Sequence, residues 1–439
     1  MTVSAPRSRD ALGALTVYVV VLFAVPARLV FGPLGASGSP ATIMGLGFLF
    51  WWITARVVPS LGVARGFSPI RIAVALLVAS VAASYAWSAL HPLAADQRSG
   101  ADLGALAILS FTGVALVAND MLGRKETVEA LLRRLVIAAA MLAGLGILQF
   151  GTGFDIAQFV KIPGLQANHA LHFIGERSNF RRVAGTATHP IEMGMVLATM
   201  LPLALHYAAY AATHKRRWQL MALVIGIAIP MTLSRAAILG TICAFIFLFF
   251  TWPGTRRALT LLLAPVFVVL MRIAIPGLVG TISSMFTNLG KDDSIKGRTQ
   301  DYAVVGQFID RSPWLGRGFG TFIPKDFFVL DNQYLGMVVE CGYVGMAALL
   351  AFFVIMYFTA RGARRHLTSV GDRDLAQSLA AAAVVAGVGF ATFDGLGFAM
   401  VDGVTFLLVG ATGALWRVTH TPLTAEGPGG RRPVQVATS

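Results

Sequence analysis

Residues 131–150 read LLRRLVIAAAMLAGLGILQF. After the paired Arg133 and Arg134, sixteen residues pass without a charge. An α-helix rises about 1.5 Å per residue, so roughly 20 apolar residues cross about 30 Å of hydrocarbon. The stretch therefore predicts a membrane-spanning helix with its cations at one end. The same pattern recurs along the chain. Spans are expected near 12–30, 40–58, 70–90, 102–119, 131–150, 190–210, 217–233, 236–252, 257–276, 332–358, 377–394 and 398–416. The fold class is an all-α polytopic membrane protein of about 12 transmembrane helices, with residues 1–420 as one domain and 421–439 as a disordered cytoplasmic tail.

Composition agrees. Hydrophobic residues make up 56% of the 439 positions and charged residues 13%, against about 25% charged in a soluble globular chain. The mean hydropathy of +0.72 leaves too little polar surface for a water-soluble fold. A cytosolic enzyme, a disordered chain and a nucleic-acid module are excluded. The formal charge of +14 then reads as basic cytoplasmic loops and anionic partners such as lipid head groups or phosphates. Cys243 and Cys341 both lie in apolar runs, which argues against a disulfide framework or a thiolate metal site. The first span resembles a signal peptide in its basic start (Arg7, Arg9), but no A-x-A site follows and the run continues to Phe31. It reads as an uncleaved signal-anchor.

Lysine and arginine set the orientation. With the N-terminus in the cytoplasm, 21 of the 35 fall on inside segments. The short outside segments hold only Arg28, Arg98 and Arg235, and the rest sit in or beside two long outer loops, 151–189 and 277–331. An even number of spans puts both termini inside. Long loops are disproportionately functional, and both are expected to contain short amphipathic helices. Residues 299–311 (TQDYAVVGQFIDR) place Tyr302, Val305, Phe308 and Ile309 at helical spacing, which fits an amphipathic helix at the outer boundary or one packed on the bundle.

The outer cations are the leading functional candidates. Loop 151–189 carries Lys161, Arg177, Arg181 and Arg182; Arg235 joins two apolar runs in TLSRAAILG; the second loop carries Lys291, Lys296, Arg298, Arg311, Arg317 and Lys325. A cation beside hydrocarbon is costly unless it is paired or faces a polar cavity. The arginine fork donates two parallel hydrogen bonds to anionic oxygens and stays charged, so the cluster fits a lipid-linked phosphate or pyrophosphate. Snorkelling to lipid phosphates, or pairing with Asp292, Asp293, Asp301 or Asp310, is the structural alternative.

In RRVAGTATHPIEMG (181–194), Pro190 suits a helix start with Thr188 as its cap, which would aim a positive helix end near Arg182. His189 fits a capping or packing histidine before a catalytic one. RSPWLGRGFGTF (311–322) spaces Gly316, Gly318 and Gly320 like a nucleotide loop, but no parallel strand precedes it, so it reads as a tight turn. In LDNQYLGMVVECGYVG (330–345), Asp331 fits a general base and a helix N-cap alike, while Glu340 is an intramembrane carboxylate. Asp394 and Asp402 read as capping or loop residues. No H-E-x-x-H, C-x-x-C, P-loop or serine-triad signature is present. An enzyme built from this chain is expected to work by positioning and cationic charge, without metal or cofactor.

These residues resemble the O-antigen ligase and O-antigen polymerase superfamily of bacterial membrane glycosyltransferases. The likeness is carried by Arg182 in R-V-A-G-T with His189-Pro190, and by Ser234-Arg235 followed by Gly240. It continues in Arg298, in Pro313, Leu315, Gly316, Gly318 and Gly320, and in Asn332, Tyr334, Leu335, Glu340, Gly342 and Gly345. The resemblance implies a GT-C type fold in the bacterial inner membrane. It also implies an outer-face site that moves a glycan from a polyprenyl (undecaprenyl-type) pyrophosphate carrier to a hydroxyl on a glycan or lipid-anchored acceptor. Arg182, Arg235 and Arg298 would then bind the pyrophosphate, Asp331 and Arg235 would be catalytic, and Arg181, His189, Asn332 and Glu340 would be secondary candidates. Ligases of the family usually carry a histidine directly before the asparagine; Asp331 stands there, and D-N-Q-Y-L looks more like a polymerase. A ligase is the first alternative, and a lipid-linked glycan transporter or flippase the second.

Overall fold

The computed structural model describes residues 5–420 except 59–60, 62, 169–175, 178–179 and 288–303. Arg298, its neighbours Lys291, Lys296, Asp292, Asp293 and Asp301, the first part of the 299–311 segment and the tail 421–439 lie outside the described residues. The helices are α1 (Ala5–Ala24), α2 (Pro40–Val57), α3 (Pro69–Ala89), α4 (Ala95–Met121), α5 (Lys125–Thr152), α6 (Pro190–Tyr210), α7 (Lys215–Met231), α8 (Arg235–Phe249), α9 (Gly254–Ala274), α10 (Leu278–Thr287), α11 (described over 304–311), α12 (Gln333–His366), α13 (Val370–Phe390) and α14 (Ala399–His420).

A helix stands at each of the twelve expected spans. Eight of them, α2 to α6, α9, α12 and α14, are long and apolar enough to cross a membrane by length and composition. Of the others, α7 and α8 have only 17 and 15 residues, α13 carries Asp372, Arg373 and Asp374 near its start, and α1 carries Arg7, Arg9 and Asp10. The chain is an all-α multi-pass membrane protein.

Two expectations change. The first helix stops at Ala24 rather than running to residue 30, because Pro26 has no N–H to continue it. Leu29–Val30 (β1) instead pairs antiparallel with Gln166–Ala167 (β2). A second small pair joins Glu176–Arg177 (β3) to Phe180–Arg181 (β4). The 151–189 loop thus holds β2, the β3–β4 pair and a 3-10 turn at Ile156–Phe159 among its described residues, not an amphipathic helix. The 277–331 loop does hold short helices, α10 and α11. Val305 of α11 is buried and Phe308 packs edge-on against Phe322 and Phe327.

α6 and α14 form the centre of the bundle, and α9 stands at its rim: 83%, 89% and 6% of their span windows are buried. Small residues let the central helices approach. A Cβ on Gly410 of α14 would come within 2.5 Å of the Ala115 carbonyl oxygen of α4. One end of the bundle is tied by buried charge. Asp120 receives Trp52 Nε1–H at 2.9 Å and pairs with Arg71 at 3.2 Å, and Asp374 pairs with Arg256 at 3.0 Å and His206 at 2.9 Å. The other end gathers the α1–α2, α5–α6, α7–α8 and α13–α14 connections and the start of α12.

Candidate functional site

The segment before α6 is clamped from three sides. Gln149, at the end of α5, accepts the Gly185 N–H at 2.8 Å and donates to Asp155 at 2.8 Å. Thr186 donates its hydroxyl to the Phe23 carbonyl at 2.6 Å, and its own carbonyl accepts the Ala27 N–H at 2.8 Å. Phe180 stacks on Phe150. The Arg181 guanidinium lies so close to Gly153 that a Cβ there would stand 2.4 Å from Nη1. Arg182 is half-buried, and its Nε–H donates to the Thr232 carbonyl at 3.4 Å.

That carbonyl belongs to the turn between α7 and α8. The turn is tight: Leu233 takes φ +49°, and Ser234 caps α8 by accepting the Ala237 N–H at 3.3 Å. Arg235 is therefore the first helical residue of α8 and is half-buried. Gly194 of α6 lies directly on this turn, since a Cβ there would be 2.8 Å from both Thr232 Oγ1 and Ala237 Cβ. Arg182 thus reaches the turn that precedes Arg235, more than 50 positions along the chain, at a corner beside the N-termini of α6 and α8. Helix N-termini favour anions through their free N–H groups and dipole.

His189, not Thr188, is the N-cap of α6. Its Nδ1 accepts the Ile191 N–H at 3.2 Å, which places the proton of the neutral ring on Nε2. Thr188 has the reciprocal role: its N–H and hydroxyl both donate to Glu192 Oε2, at 2.7 and 2.6 Å. Glu192 Oε1 accepts the Met400 N–H at 2.8 Å, so one buried carboxylate joins the starts of α6 and α14.

At the re-entry, Asn332 rather than Asp331 caps α12, accepting the Leu335 N–H at 3.2 Å. Asp331 is half-buried beside it. Gln333 is buried and bolts this segment to the α13–α14 turn. Its N–H donates to the Phe393 carbonyl at 3.2 Å, and its Oε1 accepts the Leu396 N–H at 2.7 Å. The bolt brings in a residue that the sequence reading assigned to capping or a loop. Asp394 accepts the Gly397 N–H and lies within electrostatic reach of Asp331. Its side chain is reached by solvent although protein surrounds it on most sides. The surrounding protein, and then the charge of Asp331, push its pKa up to about 6. The one sequence signal was an acidic residue in a very short turn between two apolar runs.

Glu340 serves the loop above it. α12 is broken at Gly342, which takes φ +67° and ψ −169°. The carbonyls freed by the break are claimed from outside: Val339 by the Arg317 N–H at 3.0 Å, Glu340 by the Gly318 N–H at 2.9 Å and the Ser84 hydroxyl at 2.6 Å. Tyr343 N–H donates to the Pro313 carbonyl at 2.8 Å. The Glu340 carboxylate accepts the Phe322 N–H at 3.0 Å. The 311–322 segment is the tight turn expected, with Gly316, Gly318 and Gly320 all at positive φ. Arg317 is absorbed by an aromatic cage, its guanidinium 4.3 Å from the Phe327 ring centre and 5.4 Å from that of Phe308.

Arg182, Arg235, His189, Asp331 and Asn332 thus gather at one end of the bundle, with Asp394 added. Arg181 lies on the adjoining strand and Glu340 about two turns further along α12. Among the described residues no group of three His, Cys, Asp or Glu is placed to hold a metal ion. The chain matches none of the curated proteins. Residues 220–350, which take in Arg235, Asp331 and Glu340 but stop short of Arg182, match the family model described as O-antigen ligase. This match, on a multi-pass helical protein, supports its place in the O-antigen ligase and polymerase superfamily of polysaccharide biosynthesis.

Proposed function

We propose that this protein is a GT-C type glycosyltransferase of the bacterial inner membrane. It moves a glycan from a polyprenyl pyrophosphate carrier of the undecaprenyl type to a hydroxyl acceptor, with the site on the outer face and both termini in the cytoplasm. Residues 1–420 act as one membrane domain. The observation that carries the reading is the corner where Arg182 reaches Thr232 and Arg235 opens α8, beside two helix N-termini. Two guanidinium groups and two positive helix ends suit a diphosphate whose charge grows as it leaves. Arg298 is the third cation of the proposal.

Asp331 takes the proton of the acceptor hydroxyl. The freed electron pair forms the new bond to the anomeric carbon, and the old carbon–oxygen pair departs with the diphosphate. Fixed cations supply the stabilisation, so no metal is needed; losing one comparable donor costs about 3–4 kcal/mol of barrier. Asp331 in the position before Asn332 favours a polymerase, which lengthens the carrier-linked glycan. A ligase, which moves it to a different acceptor, is the second reading, and product analysis separates them. A flippase would move the lipid without making a bond.

The test is Arg235→Ala in liposomes with a lipid-diphosphate donor. Transfer should fall by about 100-fold or more while insertion and purification stay normal. Full transfer in that variant would remove Arg235 from the mechanism.

A further inference from the structure

At the end of the bundle opposite the candidate site, the last turns of α12 meet the start of α13 and the end of α8. Phe247 of α8 packs edge-on against Tyr357 of α12. Arg361 donates from Nη1 to Gln377 Oε1 at 2.5 Å, and Gln377 donates to the Phe247 carbonyl at 3.1 Å. One guanidinium is therefore held where the three helices join. Arg364, one turn on, lies within electrostatic reach of both Arg361 and Arg373. Its Nε is buried and has no hydrogen-bond partner among the described residues. The acids at the start of α13 are engaged elsewhere. Asp372 pairs with Lys125 at 2.5 Å. Asp374, also within reach of Arg364, pairs with Arg256 at 3.0 Å and His206 at 2.9 Å. Three cations thus converge on a partly buried corner, and like charges there repel unless an anion sits among them.

The surface beside the corner says which anion. Val354, Phe358, Arg361 and Arg365 are spaced four, three and four residues apart, so they line one face of α12. Val354 and Phe358 are 50% and 65% exposed. The face is apolar along the hydrocarbon and basic at its edge. A phosphodiester with acyl chains beside it matches both parts, whereas a free phosphate matches only the second. We propose that Arg361, Arg364 and Arg373 bind the head group of an anionic phospholipid. It sits in the leaflet opposite the candidate site, which is the cytoplasmic leaflet in the proposed orientation. The guanidinium forks donate to the phosphate oxygens, and the bound lipid bridges α12 to α13. The assignment does not depend on the transferase reading.

The probe is phosphatidylglycerol with a diazirine on its head group, mixed with the full-length protein in phosphatidylcholine nanodiscs. Label should concentrate on residues 361–373. Unlabelled phosphatidylglycerol should displace it, and inorganic phosphate in excess should not. Competition against the probe then gives the affinity of each variant. Arg361→Gln with Arg364→Gln should weaken phosphatidylglycerol binding by about 25-fold, about fivefold for each cation. Arg216→Gln with Arg217→Gln removes two exposed cations at the start of α7, which packs on α5 and α6 rather than on α12. That pair should leave binding within about twofold, because water and salt screen distant exposed charges. Equal losses in both pairs would reveal only the general pull of a basic surface on acidic lipid and would overturn the site. Label spread over all lipid-facing helices, or displaced by inorganic phosphate, overturns it too. The labelling is read on the unaltered protein, so it decides even where a variant fails to fold.

Discussion

Arg235 is the first residue of α8, and its chemistry is tied to that position. A lysine there keeps the charge but replaces a planar fork with a flexible point charge. Arg235→Lys should therefore retain folding and lose about 10-fold or more in transfer, measured with the same lipid-diphosphate donor. Wild-type turnover would mean that charge alone is needed. Asp394 allows a second test. Its pKa of about 6 lies above the ordinary carboxylate value, so between the two the folded protein holds a proton that the unfolded chain has released. That contribution to stability is full below the ordinary value and is lost as pH rises through 6. The melting temperature in detergent should fall between pH 5 and pH 7, and Asp394→Asn should flatten the slope. An equal slope in both proteins would show that Asp394 does not titrate in that window.

At the scale of an element, the break in α12 decides how the outer loop is held. Gly342 has a left-handed φ, and a Cβ there would come within 2.2 Å of the Trp314 carbonyl carbon; on the other side a Cβ at Gly316 would come within 2.3 Å of the Glu340 carbonyl carbon. The two backbones touch because neither residue has a side chain. Gly342→Ala should therefore cost about 1–3 kcal/mol or more, seen as a lower melting temperature and faster proteolysis within 311–328. An unshifted melting temperature would show that the turn has another support. The glycines and the acidic residue were visible in the sequence, which predicts a turn at 311–322 and places Glu340 within a span. The sequence does not tell that the turn docks into a broken helix, because that break is a contact between two segments and follows no period.

Across the whole molecule, the proposed orientation has a direct measurement. With Cys243 and Cys341 replaced, a single cysteine at Phe154 should react with a membrane-impermeant maleimide from outside intact cells, and one at Arg365 only after lysis. The reverse pattern would place the candidate site in the cytoplasm. The helices, and the eight long enough to cross, were legible because each is a local fact: about 20 apolar residues declare themselves by length alone. Arg182, Arg235 and Asp331 were legible as candidates because charge at a hydrocarbon boundary is costly and therefore informative. Their arrangement was not. That Arg182 meets the turn before Arg235, and that Gln333 bolts the re-entry to residues 393–396 and so draws in Asp394, depend on which helices pack together. Hydropathy fixes how many times the chain can cross. Side-chain packing and the pairing of buried polar groups choose which crossings become neighbours, and only those neighbours make a site.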